Sequence, residues 1–258
     1  MSEAFDRLVG VMARLRSPGG CPWDAEQTHE SLKPYLLEET YEVLEAIDGG
    51  SMPTLRDELG DLILQVVFHA QLAHERGDFT AADVCHAISD KLIRRHPHVF
   101  GAAHAPTPGA VVTQWEKIKK TEEGHKERTS ALDGVPAAMP SLARAYKIGK
   151  KAARAGFDWA NVDGAFEKVE EELAEFRAAF AERDVKHMEE ELGDLLFSLV
   201  NVARFMEVNP EEALRKTIGK FIRRFAHVEA RIEASGKELG EATLAEMDAL
   251  WDEAKKNE

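Results

Sequence analysis

The apolar positions of this chain recur at the spacing of helices. In YLLEETYEVLEAI, Leu36, Leu37, Val43, Leu44 and Ile47 share one face of a 3.6-residue period. DELGDLILQVVFHAQLAHER (57–76) contains no proline and follows Ser51, Pro53 and Thr54, residues that open helices. TAADVCHAISDKLIRRH begins with Thr80, a natural cap. Three further helices are expected over VDGAFEKVEEELAEFRAAFAE, DVKHMEEELGDLLFSLVNVARFME and NPEEALRKTIGKFIRRFAHVEARIEA. The opening MSEAFDRLVGVMARLR sets acids before its apolar positions and reads as an amphipathic helix rather than a signal peptide. No alternating strand pattern stands out. The stretch GAAHAPTPGAVVT (101–113) predicts a loop, and TSALDGVPAAMP (129–140) a linker. SLARAYKIGKKAARAG would be a joining helix after it. The expected fold is all-α.

The pattern also repeats. EELGDLLFS (190–198) is a near copy of DELGDLILQ (57–65), 133 positions earlier. At the same offset LLEETYEVLEA falls on VEEELAEFRAA, so Glu38, Glu39 and Glu42 match Glu171, Glu172 and Glu175. Glu58 and Asp61 match Glu191 and Asp194. KLIRRHPHV matches KFIRRFAHV at an offset of 129, and WEKIKK matches WDEAKK at 136. The offset shifts only where loops are expected, which is the mark of a duplicated domain rather than a short-period solenoid. The expected modules are 1–128 and 141–258, joined by 129–140.

Composition narrows the partners. The net charge of −14 disfavours a nucleic-acid backbone, which calls for an excess of Lys and Arg. It leaves room for a phosphate ligand, because a bound cation reverses the local sign. No apolar run approaches the roughly 18 residues of a membrane helix. Two cysteines, Cys21 and Cys85, make neither a disulfide framework nor a Cys-rich zinc site, and a reducing cytoplasm fits.

The carboxylates carry the chemistry. Glu172 and Glu175 are three apart on one helix, hence neighbours on one face. Glu191 and Asp194 have that spacing on the next. If the two helices pack antiparallel, four acids converge at the head of an apolar run. Unpaired anions there would cost several kcal/mol each, so basic side chains or a hard divalent cation should meet them. Four oxygen donors suit Mg²⁺ or Mn²⁺. One EExxE alone is a common solvated face, and one ELGD a common cap. Both together, twice, with the same 15-residue gap, favour a metal site. The first-half set is Glu39, Glu42, Glu58 and Asp61. Lys220, Arg223 and Arg224 share a later helix face, able to hold a polyphosphate or to pair with surface Glu. Lys168 sits one turn before Glu172. Trp251 could stack a base or belong to the core.

EExxE, a 15-residue gap and ExxD on a helical frame resemble the MazG family of nucleoside triphosphate pyrophosphohydrolases. GGCPWDAEQTHESLKPYLLEETYEVLEAI, RRHPHVF and the duplicated plan are similar to the two-domain bacterial members along nearly the whole chain. The resemblance implies a cytoplasmic homodimer of tandem helical modules. It implies Mg²⁺-dependent cleavage of an NTP to NMP and pyrophosphate, in the cleansing of nucleotide pools. It implies that Glu172, Glu175, Glu191 and Asp194 hold the metal and do the catalysis. Lys168, Lys220, Arg223, Arg224 and Trp251 match positions that bind nucleotide. The implied chemistry is attack of water on the α-phosphorus, with Mg²⁺ lowering the water's pKa and a Glu, Glu171 being one candidate, taking the proton.

Two differences favour activity in the second half: Lys168 stands opposite Tyr35, and Asn201, expected to face a sugar or a site acid, stands opposite Phe68. A ferritin-like di-iron protein is the weaker alternative, because Glu-x-x-His occurs only at 26–29 and 122–125, away from the acidic repeats. A non-catalytic acidic interaction module is another.

Overall fold

The structure, a computed structural model, describes residues 2–121 and 129–257. The chain divides into two compact units, Met1–Glu122 and Glu123–Glu258. The described residues form helices and connecting loops with no strand, as the periodicity predicts. No described helix is long and apolar enough to cross a membrane.

Unit 1 holds α1 (Ser2–Arg16), the short α2 (Pro22–Glu26), α3 (Lys33–Gly49), α4 (Met52–Arg76), α5 (Ala81–Arg95), the single turn α6 (Pro97–Phe100) and α7 (Pro108–Thr121). Unit 2 holds α8 (Ser141–Arg154), α9 (Val162–Glu182), α10 (Val185–Phe205), α11 (Pro210–Ala234) and α12 (Leu244–Lys256). A 3-10 turn, Leu239–Glu241, precedes α12. The expected joining helix is α8. The expected linker, 129–140, borders residues outside the described ones.

The loop expected over 101–113 is shorter than that. The chain becomes helical at Pro108, where a fixed φ suits the first helical position and the missing N–H costs nothing. Thr107 Oγ1 accepts from the Ala110 N–H at 3.2 Å and so caps this helix.

Each unit is built round one helical hairpin. In unit 1, α3 ends on Gly50 with φ at 67°, a left-handed conformation that lets the chain turn at once into α4. Ser51 then caps α4 by accepting from the Thr54 N–H. In unit 2, α9 ends on Arg183 with φ at 56°, and Asp184 caps α10 by accepting from the Lys186 and His187 N–H groups. Two-residue connections make both hairpins antiparallel. α1 packs on α4, and α8 packs on α10.

Met12, Leu32, Val67, Phe68 and Leu72 make the core of unit 1, with Phe5, Leu8, Val9, Leu15 and Leu64 packed round them. Burying each large side chain contributes about 1.5–3 kcal/mol. In unit 2 the buried positions include Ala165, Ala179, Val200, Val202, Val228 and Ile232. α9 packs along α10, which brings the acids of the two helices into range.

Candidate active site

Glu172 and Glu175 project from α9, and Glu191 from α10. One carboxylate oxygen of each lies within 4.8 Å of the others. Glu172 is buried, Glu191 half-buried and Glu175 exposed. Lys168, one turn earlier on α9, donates from Nζ to Glu172 Oε1 at 2.6 Å and to Glu171 Oε1 at 3.0 Å. These two hydrogen bonds raise the lysine above its usual range, so it remains an ammonium. His187 Nε2 lies 3.1 Å from Glu191 Oε1. The other oxygen of Glu191, Oε2, is buried and has no hydrogen-bond partner. Loss of solvation, then the charges of Glu172, Glu191 and Glu171, hold the Glu175 carboxyl above the ordinary value.

Three of the four predicted acids therefore meet. Asp194 is exposed on α10 and stands outside the three. Spacing alone places it next to Glu191, while the direction of its side chain decides whether its oxygens arrive.

Unit 1 repeats the arrangement with a different odd residue. Glu39, Glu58 and Asp61 converge within 4.8 Å of one another, while Glu42, not part of that mutual set, still reaches Glu39 and Glu58. Loss of solvation, then Asp61 and Glu42, raise the Glu39 carboxyl. Loss of solvation, then Glu42 and Asp61, raise Glu58. Gln65 is buried and its Nε2 donates to Glu39 Oε1 at 3.4 Å. Its counterpart Ser198 instead donates to the Leu195 carbonyl of its own helix at 2.9 Å.

Both clusters suit a hard divalent cation. All donors are oxygens, neighbouring carboxylates help to hold Glu175, Glu39 and Glu58 above the ordinary value, and in unit 2 a buried carboxylate oxygen lacks any partner. Coordination would satisfy that oxygen and relieve the repulsion.

The predicted nucleotide contacts form a second group. Lys220, Arg223 and Arg224 lie on α11, and Trp251 on α12, which packs on α11. The Arg224 guanidinium sits over the Trp251 ring, 5.6 Å from its centroid. Phe221 meets the same ring at 4.9 Å and stacks on Phe225 at 6.1 Å. A hollow of about 210 Å³ opens beside Trp251, walled by Phe221, Phe225, Met247 and Asp248. Of the predicted cations, Lys168 is the one seen against the acids of α9.

The expectation for Asn201 turns out differently, and two unit 1 counterparts have partners of their own. Asn201 is buried, donates to the Phe197 carbonyl at 3.2 Å and accepts from Arg204 Nε at 3.3 Å. It sits under Gly149 of α8, so it packs helices together instead of facing a sugar or a site acid. Tyr35, opposite Lys168, makes an edge contact with Trp23 at 5.7 Å. Trp115, the unit 1 counterpart of Trp251, packs edge-on against His96 at 5.1 Å. His187 and Gln65 escaped the sequence reading. Their signal was a helical offset of four, His187 before Glu191 and Gln65 after Asp61.

Paired acidic hairpins, each on its own helical unit, make this a tandem all-α protein with two candidate cation sites. A sequence model of the MazG nucleotide pyrophosphohydrolase domain matches residues 27–100 and 163–229, which are the two hairpins with the helix that follows each. Over 99% of its length the chain is 50% identical to a Thermotoga maritima protein, of which it covers 98%, named nucleoside triphosphate pyrophosphohydrolase/pyrophosphatase MazG. It is 48% identical to the nucleoside triphosphate pyrophosphohydrolase of Escherichia coli K12, covering 98% of each chain. It is also 48% identical to an uncharacterized Bacillus subtilis protein, YabN, of which it spans 52%. The chain belongs to the MazG family.

Proposed function

We propose that this protein hydrolyses nucleoside triphosphates, ribose or deoxyribose, between the α and β phosphates, releasing a nucleoside monophosphate and pyrophosphate. The observation that carries the reading is the unit 2 cluster: three carboxylates in contact range, one with a buried oxygen lacking any partner. The names of the Thermotoga maritima and Escherichia coli relatives agree with it. Glu172, Glu175 and Glu191 hold the cation, with Asp194 able to join by a side-chain rotation. That cation is Mg²⁺, which Mn²⁺ can replace; when bound it polarises the phosphate oxygens and offsets charge growing on the departing pyrophosphate.

The chain's own groups do the rest. Lys168 stays cationic and holds Glu172 and Glu171 in place. Glu171, outside the three, accepts the proton of the attacking water. Lys220, Arg223 and Arg224 bind the polyphosphate, and Trp251, already under Arg224, offers a face for the base. Unit 2 is the active half, because Lys168 and His187 brace its acids where unit 1 has Tyr35 and Thr54. The protein acts as a cytoplasmic homodimer that clears nucleotide pools and binds neither nucleic acid nor membrane.

The test is to incubate the purified protein with ATP and Mg²⁺ and resolve the products. AMP with pyrophosphate is expected. ADP with phosphate would place the enzyme in another hydrolase class, and no turnover of any NTP would favour an acidic interaction module. EDTA should abolish turnover and Mg²⁺ restore it; full turnover in chelator would remove the basis of the site.

A further inference from the structure

His187 makes one polar contact that matters to the cluster, and it is made to a carboxylate whose side chain is only 14% exposed. We propose that His187 is a positioning residue: it fixes one oxygen of Glu191 and so presets the other for the cation. The inference rests on the reading of the cluster as a divalent-cation site. A carboxylate with two unengaged oxygens turns about its last torsion, and that freedom is lost when an ion binds. Here the tip of the His187 ring, Nε2, lies 3.1 Å from Oε1, a close contact not aligned as a hydrogen bond that occupies this side of the carboxylate. Oε2 is left buried with no partner. Groups that hold a ligand in this way change metal affinity without touching the metal.

The device is confined to unit 2. Thr54 occupies the matching place in unit 1, and its Oγ1 lies 2.8 Å from Ser51 Oγ, at the start of α4. It helps close the helix end, and Glu58 has no histidine one turn before it. The neighbouring Lys186 reaches only the exposed Glu190, at 3.9 Å. The position therefore distinguishes the two clusters more directly than the acids do.

Mn²⁺ titration by calorimetry, without nucleotide, tests this in the full chain carrying Glu58→Ala and Asp61→Ala, so that unit 2 reports alone. In that background His187→Ala should weaken Mn²⁺ binding about tenfold. His187→Gln, which keeps a polar tip at similar reach, should recover most of the loss. A purely structural role would not show that rescue. Wild-type affinity in His187→Ala overturns the proposal, as does a Gln variant no better than Ala. Glu191→Gln separates the two readings. If it weakens Mn²⁺ binding more than His187→Ala does, the cation site stands whatever becomes of His187. If Glu191→Gln leaves Mn²⁺ binding unchanged, the cation site falls and this inference with it.

Discussion

His69 shows what one residue does to the duplicated frame. It stands where unit 2 has Val202, and its partner His29 stands where unit 2 has Val162. The two rings stack 5.1 Å apart with their Nδ1 atoms at 2.8 Å. Only one Nδ1 can donate in such a contact, so at least one ring is neutral. Loss of solvation, then the charge of His29, lower the His69 pKa from the ordinary 6.5. The sign follows. Below the unfolded value the unfolded chain takes up a proton that the native ring refuses, so stability is present above that value and lost as pH falls through it. Melting temperature should therefore decline between about pH 7.5 and about pH 5.5, and His69→Val should flatten that decline. Melting curves for both proteins across this range decide it: parallel slopes would show that the pair does not titrate in this way. The pair was not visible from sequence, because it joins the segment before α3 to the middle of α4. The acids were visible because their offset of three needs only a helix.

At the scale of elements, the two hairpins solve one turn with different residues. Gly50 and Arg183 occupy matching positions, and both are left-handed. A residue with a Cβ pays roughly 1 kcal/mol or more for this conformation, which glycine avoids. Arg183→Gly should therefore stabilise the protein by up to about 1 kcal/mol, after the entropy that glycine adds to the unfolded chain. Urea unfolding measures it, and an unchanged or lower midpoint would mean that Arg183 makes contacts worth more than its strain. The reverse holds at Gly149 on α8. A Cβ there would come within 2.9 Å of Asn201 Oδ1 and 3.4 Å of Arg204. Arg204 is tied to Asp158, so it cannot simply swing away. Gly149→Ala should cost about 1–3 kcal/mol as α8 is pushed off α10. The helices and their caps were legible because period, start signals and turn residues are local. The start of α7 was not, because Ala, Pro and Gly suggest a loop until Thr107 and Pro108 are seen as a cap and a first turn. The meeting of three acids instead of four was not legible either. Spacing sets which residues share a face, while rotamers and packing set which oxygens arrive.

At the scale of the molecule, each unit exposes apolar rows on its hairpin: Leu59, Ile63 and Val66 on α4, and Leu192, Leu196, Phe197 and Leu199 on α10. Such rows are costly in water, and a second copy of the chain would cover them. Light scattering at micromolar concentration should report the mass of two chains, and a single chain of 28.7 kDa would refute the homodimer. The two clusters then have to be told apart. Glu191→Ala with Asp194→Ala removes an acid of the unit 2 cluster and the acid three positions along α10 that could replace it. Glu172 and Glu175 remain, too few to hold a cation or place a water, so kcat should fall by orders of magnitude. The fold should survive, because Glu175 is already strained upward by neighbouring charge and loses one of those neighbours. Glu58→Ala with Asp61→Ala makes the matching change in unit 1. There no lysine or histidine stands at the positions of Lys168 and His187, and most NTP hydrolysis should persist. Steady-state rates for both double mutants, with circular dichroism to establish that each is folded, settle the assignment. A dead Glu58/Asp61 variant beside an active Glu191/Asp194 variant would reverse it. Loss of about half the activity in each would mean that both clusters turn over. In that case Tyr35 and Thr54 serve unit 1 well enough, and the bracing of the unit 2 acids adjusts the rate without deciding which half works.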